Sequence, residues 1–516
     1  MNEIKTNFPD LEQVKERLIR YKREKKELET RLLREDELWK AIYSGGESAS
    51  WIFNSILNKH ADVIDCMPTC TCLPREKSDE QYAEMLSRVI PVITSRSNFE
   101  QTYSDNTWDK LKHGTAVYGV FWNNSLEDGF GDVDICRIPI SEIFWDMGAS
   151  DIQDSSDLFI IKLCDRDEAV ARYPELVSGD WEDGDSSLRA SLELSGDSGK
   201  LLFVDRYYKK TLPDGRRVLH LCKFVGDRVL YSSENDPECE GGWYDHGEYP
   251  VVFDRLYPTE RAYGFGLMSV SADLQKYINR IDGDMLKYAD WASKVRFWAK
   301  RSLGVNEKEF LDLERSIVEV EGDIDEEKLR QIEINPIDSS VIDLRLMKIN
   351  ELKEVTGSRD VSQGGYGGGV TAASAINILR EAGAKTSRDG IEETYRAYVK
   401  IISLVIELIR QFYNESRVFR IIGEDGERQY LSISNKGLND DSGRRAHFDI
   451  EVSAIKKSPG EAEQKNKLAK ELYDAGAFKR ENVKETLMML ELMDFDGIGN
   501  LKATLISEYL QSESEK

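Results

Sequence analysis

The residues best suited to chemistry in this chain are the five glycines of SQGGYGGG (Gly364, Gly365, Gly367, Gly368 and Gly369), gathered around Tyr366 and followed at once by alanine-rich helix-forming sequence. Glycine turns that run into a helix N-terminus can hold anions, because unpaired backbone N–H groups and the helix dipole point at the ligand. A nucleotide cradle needs more. The GxxxxGK[ST] pattern is absent, no lysine lies among these glycines, and the first basic residue after them, Arg380, stands well inside the helical pattern.

Other chemistry-bearing clusters fall short in similar ways. Cys66, Cys70 and Cys72 in CMPTCTC suggest zinc, but no Cys-x-x-Cys pair and no nearby His complete four ligands, so ordinary thiols are expected. DFDGIGN (494–500) has acids at positions one and three and glycine at six of a calcium loop, yet position five is Ile498 and position twelve Leu505. His60, His113, His220, His246 and His447 are scattered, none in HExxH, and there is no GxSxG elbow. Carboxylates are abundant and nothing singles out a catalytic pair. The expectation is no catalytic residue, no metal and no cofactor.

One cluster is cationic. KVRFWAKR interleaves Lys294, Arg296, Lys300 and Arg301 with Phe297 and Trp298 at the end of a helical pattern. It suits a DNA-facing collar or a docking surface; equally, it suits cations drawn to a helix C-terminus by the dipole.

Composition limits what these clusters serve. The 516 residues include 70 basic and 95 acidic side chains, a formal charge of -25, with 40% hydrophobic and 32% charged residues. Such a chain folds, into two to four domains by length, but is a poor static clamp for nucleic acid, whose affinity comes from neutralised phosphates. Seven cysteines, an odd number in a long chain, point to a reducing compartment. The N-terminus MNEIKTNFPD lacks the apolar core of a signal peptide. The most apolar run, 398–413, is broken by Lys400, Glu407 and Arg410, so no membrane span is expected.

The elements that must carry these residues follow from periodicity. Leu11, Val14, Leu18 and Tyr21 predict an amphipathic helix over 10–43, with further helical regions at 49–64 and 78–113. From Gly114 to 255 the apolar residues alternate between Gly, Asn and Asp punctuation, as in a mostly antiparallel sheet with short helices near 166–174 and 186–194. After the YGFG turn (263–266), Ser269 or Ser271 is placed to cap a long helix, SADLQKYINRIDGDMLKYADWASKV, running to Val295. A compact insert at 295–335 reads as three short strands with one short helix, closed by Pro336 and Asp338, which start a second helix ending at Gly357. A long helical pattern at 371–415 places Ile391, Tyr395, Tyr398, Ile402, Val405, Ile409 and Phe412 in 4-3-4-3-4-3 steps, with Gly383 and Gly390 as candidate bends. Strands return at 417–422, 428–433 and 446–455, and 460–510 reads as helical.

This order of parts, with HGTAVYGVFWN (113–123), GDVDICRIPISEIFWDMGASDIQDS (131–155) and YGFGLMSVSADLQKYINRIDGDML (263–286), resembles the portal, or head-to-tail connector, proteins of tailed bacteriophages over nearly the whole chain. The resemblance implies an α+β portal-type fold: N-terminal helices and a mixed, strand-rich wing at 1–267, stem helix 1 at 268–298, a small α/β clip at 299–337 and stem helix 2 at 338–357. A Gly-rich tunnel loop at 358–372, containing Arg359, Gln363 and Tyr366, would face the channel. The long wing helix and returning strands would fill 373–455, and a helical crown 456–516. It further implies a ring, usually of twelve subunits, at one capsid vertex of the virion, assembled in the host cytoplasm with capsid and scaffolding proteins. Double-stranded DNA would pass through it, and the terminase packaging motor and tail adaptor proteins would dock on it.

The residues fit that role on physical grounds. A conduit must surround a polyanion without holding it, and twelve copies would carry a formal charge of about -300. A glycine loop with low torsional barriers suits contact with moving DNA, Tyr366 being its only large side chain; a surface loop without DNA contact is the other reading. Two rivals stay open: a metal-dependent phage nuclease with dispersed acids, and a different minor virion component.

Overall fold

The computed structural model describes residues 10–43, 50–177, 182–194, 199–293, 297–299, 308, 329–331, 336–357, 373–422, 428–438, 445–454, 459–474, 486, 489–490 and 493. The chain divides into two compact units: one of residues 1–36, 56–269 and 360–516, the other of residues 37–55 and 270–359.

Helix α1 (Leu11–Tyr43) has the predicted periodicity, and its Val14, Leu18 and Tyr21 are buried. Helix α2 (Trp51–Ile64) follows, then strand β1 (Pro68–Pro74), which contains CMPTCTC residues. Helices α3 (Glu80–Arg96) and α4 (Phe99–His113) replace the single helical stretch expected at 78–113. The break is local: Asn98 takes a left-handed φ of 54°, a conformation asparagine tolerates and helices do not continue through.

Two antiparallel sheets then form where one run of strands was expected. Strands β2 (Thr115–Asn123) and β3 (Asp132–Arg137) pair with β9 (Val251–Arg255) in the order β3-β2-β9. Strands β4 (Ile143–Trp145), β5 (Asp157–Asp165), β6 (Lys200–Thr211), β7 (Arg217–Val225) and β8 (Arg228–Ser232) make a five-stranded meander in chain order. The short helices α5 (Arg166–Arg172) and α6 (Glu182–Ser191) interrupt it near their expected places.

Two cores result. The meander buries Phe159, Leu202, Val204 and Phe224 with Val14, Leu18 and Tyr21 of α1 and Leu188 of α6. Beside it, Lys25 is fully buried; its Nζ donates to the carbonyls of Ile140 (2.6 Å), Ser141 (3.3 Å) and Ile143 (2.8 Å) and lies 4.2 Å from the Phe144 ring centre. Burial pulls its pKa down to about 7.

The second core joins α3, α4 and the three-stranded sheet to a long helix introduced below, through Leu86, Ile90, Phe99, Tyr118, Ile402 and Val405.

Beyond β9 come helix α7 (Leu267–Ser293), strands β10 (Phe297–Ala299) and β11 (Leu329–Gln331), which pair antiparallel, and helix α8 (Ser339–Thr356). Neither Ser269 nor Ser271 caps α7; the helix begins at Leu267, and Ser271 is buried inside it. Its described extent reaches Ser293, and Phe297–Ala299 is a strand, where RFWAKRSLGV was expected to form one. Asp338 caps α8 as expected, accepting from the Ser340 N–H at 2.8 Å, and Gly357 closes it at φ 68°. The middle strand expected in the insert, and nearly all of its helix, lie outside the described residues.

Helix α9 (Ala373–Phe412) runs unbroken through Gly383 and Gly390, about 60 Å at 1.5 Å per residue. Tyr398, Ile402, Val405 and Ile409 are buried, as their spacing predicts. Gly390 serves a close approach rather than a bend: its carbonyl accepts from Lys110 Nζ at 2.8 Å, and an added Cβ would lie 3.1 Å from Leu256 Cδ1. Strands β12 (Arg417–Ile422) and β13 (Arg428–Ile433) form a hairpin, and β14 (Phe448–Ala454) pairs antiparallel with β1. Helix α10 (Pro459–Asp474) opens the helical tail.

Candidate functional site: the helix pair and its anchorage

The tunnel-loop candidates Arg359, Gln363, Gly364, Gly365, Tyr366, Gly367, Gly368 and Gly369 lie outside the described residues, as do Lys294, Arg296, Lys300 and Arg301 of the basic cluster. Neighbouring elements are described: α8 and α9 flank the glycine segment, α7 precedes the cations, and β10 lies between Arg296 and Lys300. DFDGIGN also lies outside the described residues. The cysteine cluster has a structural place, since Cys70 and Cys72 are buried on β1, and the Cys70 side chain and burial together push the Cys72 thiol up. Among the described residues no group of His, Cys, Asp and Glu has the geometry of a metal site, and no helix is long and apolar enough to cross a membrane.

What the second unit does present is a pair of helices. Asp282 of α7 takes a two-pronged ion pair from Arg345 of α8. Seven residues earlier on α7, Gln275 Oε1 accepts from the N–H groups of Trp51 (3.1 Å) and Ile52 (3.2 Å), satisfying orphan donors at the start of α2. Eleven residues later on α8, Thr356 Oγ1 donates to Ser55 Oγ at 3.2 Å, also on α2. The two helices therefore run antiparallel. Ile278 and Ile349, at matching levels, are both buried.

The seam between them is narrow. On α8 it takes Arg345, Ile349, Leu352 and Thr356, at three- to four-residue steps. At roughly 100° per residue, Leu344 and Leu346 stand on opposite flanks of that seam. They are 44% and 50% exposed, and Ile342, Met347 and Val355 are exposed with them. On α7, Tyr277 (56%) and Leu286 (53%) are exposed as well. Opposite the seam α8 carries Asp343, Asn350 and Glu354 together with Met347. A helix with one seam and two apolar flanks is built to have neighbours on both sides, as a head-to-tail ring requires.

The charge of the pair differs from that of the chain. Helix α7 carries four acidic and three basic residues, α8 three of each, so the strong acidity of the protein lies elsewhere.

In the first unit, the phrases HGTAVYGVFWN and YGFG, far apart in sequence, pack together at the root of α7. Gly114 ends α4 at φ 84°, and a Cβ there would stand 2.0 Å from the Phe265 carbonyl carbon. At Gly266 a Cβ would meet the Lys112 carbonyl oxygen at 2.4 Å. Thr115 Oγ1 accepts from the Gly264 N–H at 2.9 Å. Gly114→Ala is expected to cost about 2–3 kcal/mol, combining left-handed strain with displaced backbone, and urea unfolding of the purified protein measures it.

The chain matches the phage P22-like portal protein family over residues 61–514. It belongs to that family. No curated protein matches the chain. As a phage portal protein it is a structural component of the virion, at the head-tail connection, and works as an oligomeric ring of the capsid. In this portal subunit Leu344 and Leu346, on the two flanks of α8, are exposed. Sequence reasoning found the two helices but not the flanks. Their signal is present in SSVIDLRLMKINELKEVT, where Ile342, Leu344 and Leu346 alternate against the helical period.

Proposed function

We propose that twelve copies of this portal protein close into a ring in which α7 and α8 are the stem, the segment 299–337 the clip, and 358–372 a glycine loop at the bore. Double-stranded DNA enters and leaves through the centre. The clip docks the terminase motor and later the tail adaptor proteins, and capsid and scaffolding proteins surround the ring during assembly in the host cytoplasm. The observation that carries this reading is the pair of apolar flanks on α8, which give each subunit two different faces for two neighbours.

Electrostatics supports the conduit role. Each firm phosphate contact adds affinity, and affinity is drag on a moving duplex, so a near-neutral helix pair within a strongly acidic chain suits passage rather than capture. The basic residues Lys294, Arg296, Lys300 and Arg301 follow α7 and suit a collar or docking surface at the stem-clip junction. Arg359 and Gln363 would open the bore loop, and Tyr366 would be its one large contact.

Negative-stain images of the purified protein test the reading: rings with a central hole support it, and a globular monomer at every concentration defeats it. For the loop, replacing Gly364, Gly365, Gly367, Gly368 and Gly369 by alanine should leave rings intact while impairing DNA packaging or retention. Packaging at the wild-type rate would remove the segment from DNA handling.

A further inference from the structure

The chain passes from the first unit to the second between Asp36 and Glu37 and again between Ser269 and Val270. Immediately before both crossings, wholly within the first unit, a charged cluster ties α1 to the first turn of α7. His113, the last residue of α4, is buried, with Nδ1 2.9 Å from Glu35 Oε2 and Nε2 3.2 Å from Asp36 Oδ1. The other oxygen of buried Glu35 accepts from Ser269 Oγ. Arg31, one turn back on α1, donates to the carbonyls of His113 (3.2 Å) and Gly264 (2.9 Å), and its guanidinium lies 3.8 Å from Glu35.

We propose that Glu35, Asp36 and His113 form a protonation-dependent latch that holds the roots of α1 and α7 together. An imidazole with a carboxylate oxygen at each nitrogen can donate to both only when doubly protonated. The neutral ring donates to one and turns a lone pair toward the other. Losing the proton therefore breaks one charge-assisted hydrogen bond and leaves Glu35, which also holds Ser269, with a weaker partner.

The surrounding charges agree with that sense. Burial opposes the charged ring and pulls the pKa of His113 down, but the hydrogen bonds to Asp36 and Glu35 outweigh it, and Lys112 on α4 subtracts a little; the net direction is upward from 6.5. The end of α4 also favours a cation through its dipole. Because the folded value is raised, the stabilisation is complete below about pH 6.5 and is lost as pH climbs through the folded value.

Hydrogen–deuterium exchange of the full-length protein tests this. Corrected for intrinsic rates, protection over 31–43 and 262–276 should fall roughly tenfold between about pH 6 and about pH 8.5, the loss expected for one charge-assisted hydrogen bond. His113→Gln should be flat at the lower level. A flat wild type, or a His113→Gln protein that keeps the wild-type slope, overturns the proposal. Should His113→Gln fail to fold, Asp36→Asn removes only the half-exposed carboxylate. Its transition midpoint should move down toward that of an ordinary imidazole, and an unmoved midpoint also overturns the latch.

Discussion

A portal chain carrying Leu344→Asp and Leu346→Asp is expected to fold like the wild type and sediment as single subunits. The two leucines stand on opposite flanks of α8, one residue to either side of Arg345 in the seam, and both are about half exposed in the lone subunit. Neither supports the subunit's own core, so secondary structure and unfolding midpoint should change little. In a ring each leucine meets a different neighbour, and every contact loses one side chain from each partner. Fully burying a leucine is worth about 1.5–3 kcal/mol and each of these is already about half buried, so each contact weakens by about 1.5–3 kcal/mol, roughly tenfold or more in affinity, before the cost of burying a carboxylate is added. Asp343→Lys, opposite the seam, is the control and should leave assembly intact. Sedimentation velocity reads both. Rings from the double variant would show that the flanks are not the contact.

The second large effect is one of stability. Lys110 on α4 is buried, its Nζ 2.5 Å from Asp254 of β9, 2.8 Å from the Gly390 carbonyl and 2.6 Å from Thr394 Oγ1, so one ammonium joins α4, the sheet and α9. Lys110→Met leaves Asp254 buried without its counter-charge and should cost about 3–5 kcal/mol in urea unfolding. Burial already raises the Asp254 pKa against the pull of Lys110. Without the lysine it rises further, and a carboxyl whose folded pKa is raised gains stability as pH falls through that value. The deficit of Lys110→Met should therefore shrink on acidification. Adding Asp254→Leu should restore a large share at neutral pH, because two apolar groups are cheaper to bury than one charge. Equal stability of the single and double variants would show that the ion pair does not govern the site.

Much of the fold is legible without coordinates, where local chemistry and burial coincide. The 4-3 apolar steps of α9, the cap at Asp338 and the glycine end of α8 all stand where propensity puts them. The misses have physical causes. Asn98 breaks 78–113 because a single left-handed residue suffices, and asparagine adopts that conformation without announcing it. Ser269 does not cap α7 because the helix has already begun at Leu267; its hydroxyl instead donates to Glu35, a partner some 230 residues away in sequence. The PTCTC part of CMPTCTC is a strand because it pairs with β14 nearly 400 residues later, a pairing periodicity cannot reveal.

The sequence by itself determined the kind of molecule: an acidic α+β chain with two long helices around a small insert and a glycine-rich segment after them. These follow from composition and short-range period, both written into neighbouring residues. Only the tertiary structure decided which side of each helix is spent on its partner. Exposure of Leu344 and Leu346, burial of Lys110 against Asp254, and the meeting of Glu35, His113 and Ser269 depend on contacts between distant segments, whose free energies exist only once the chain has folded.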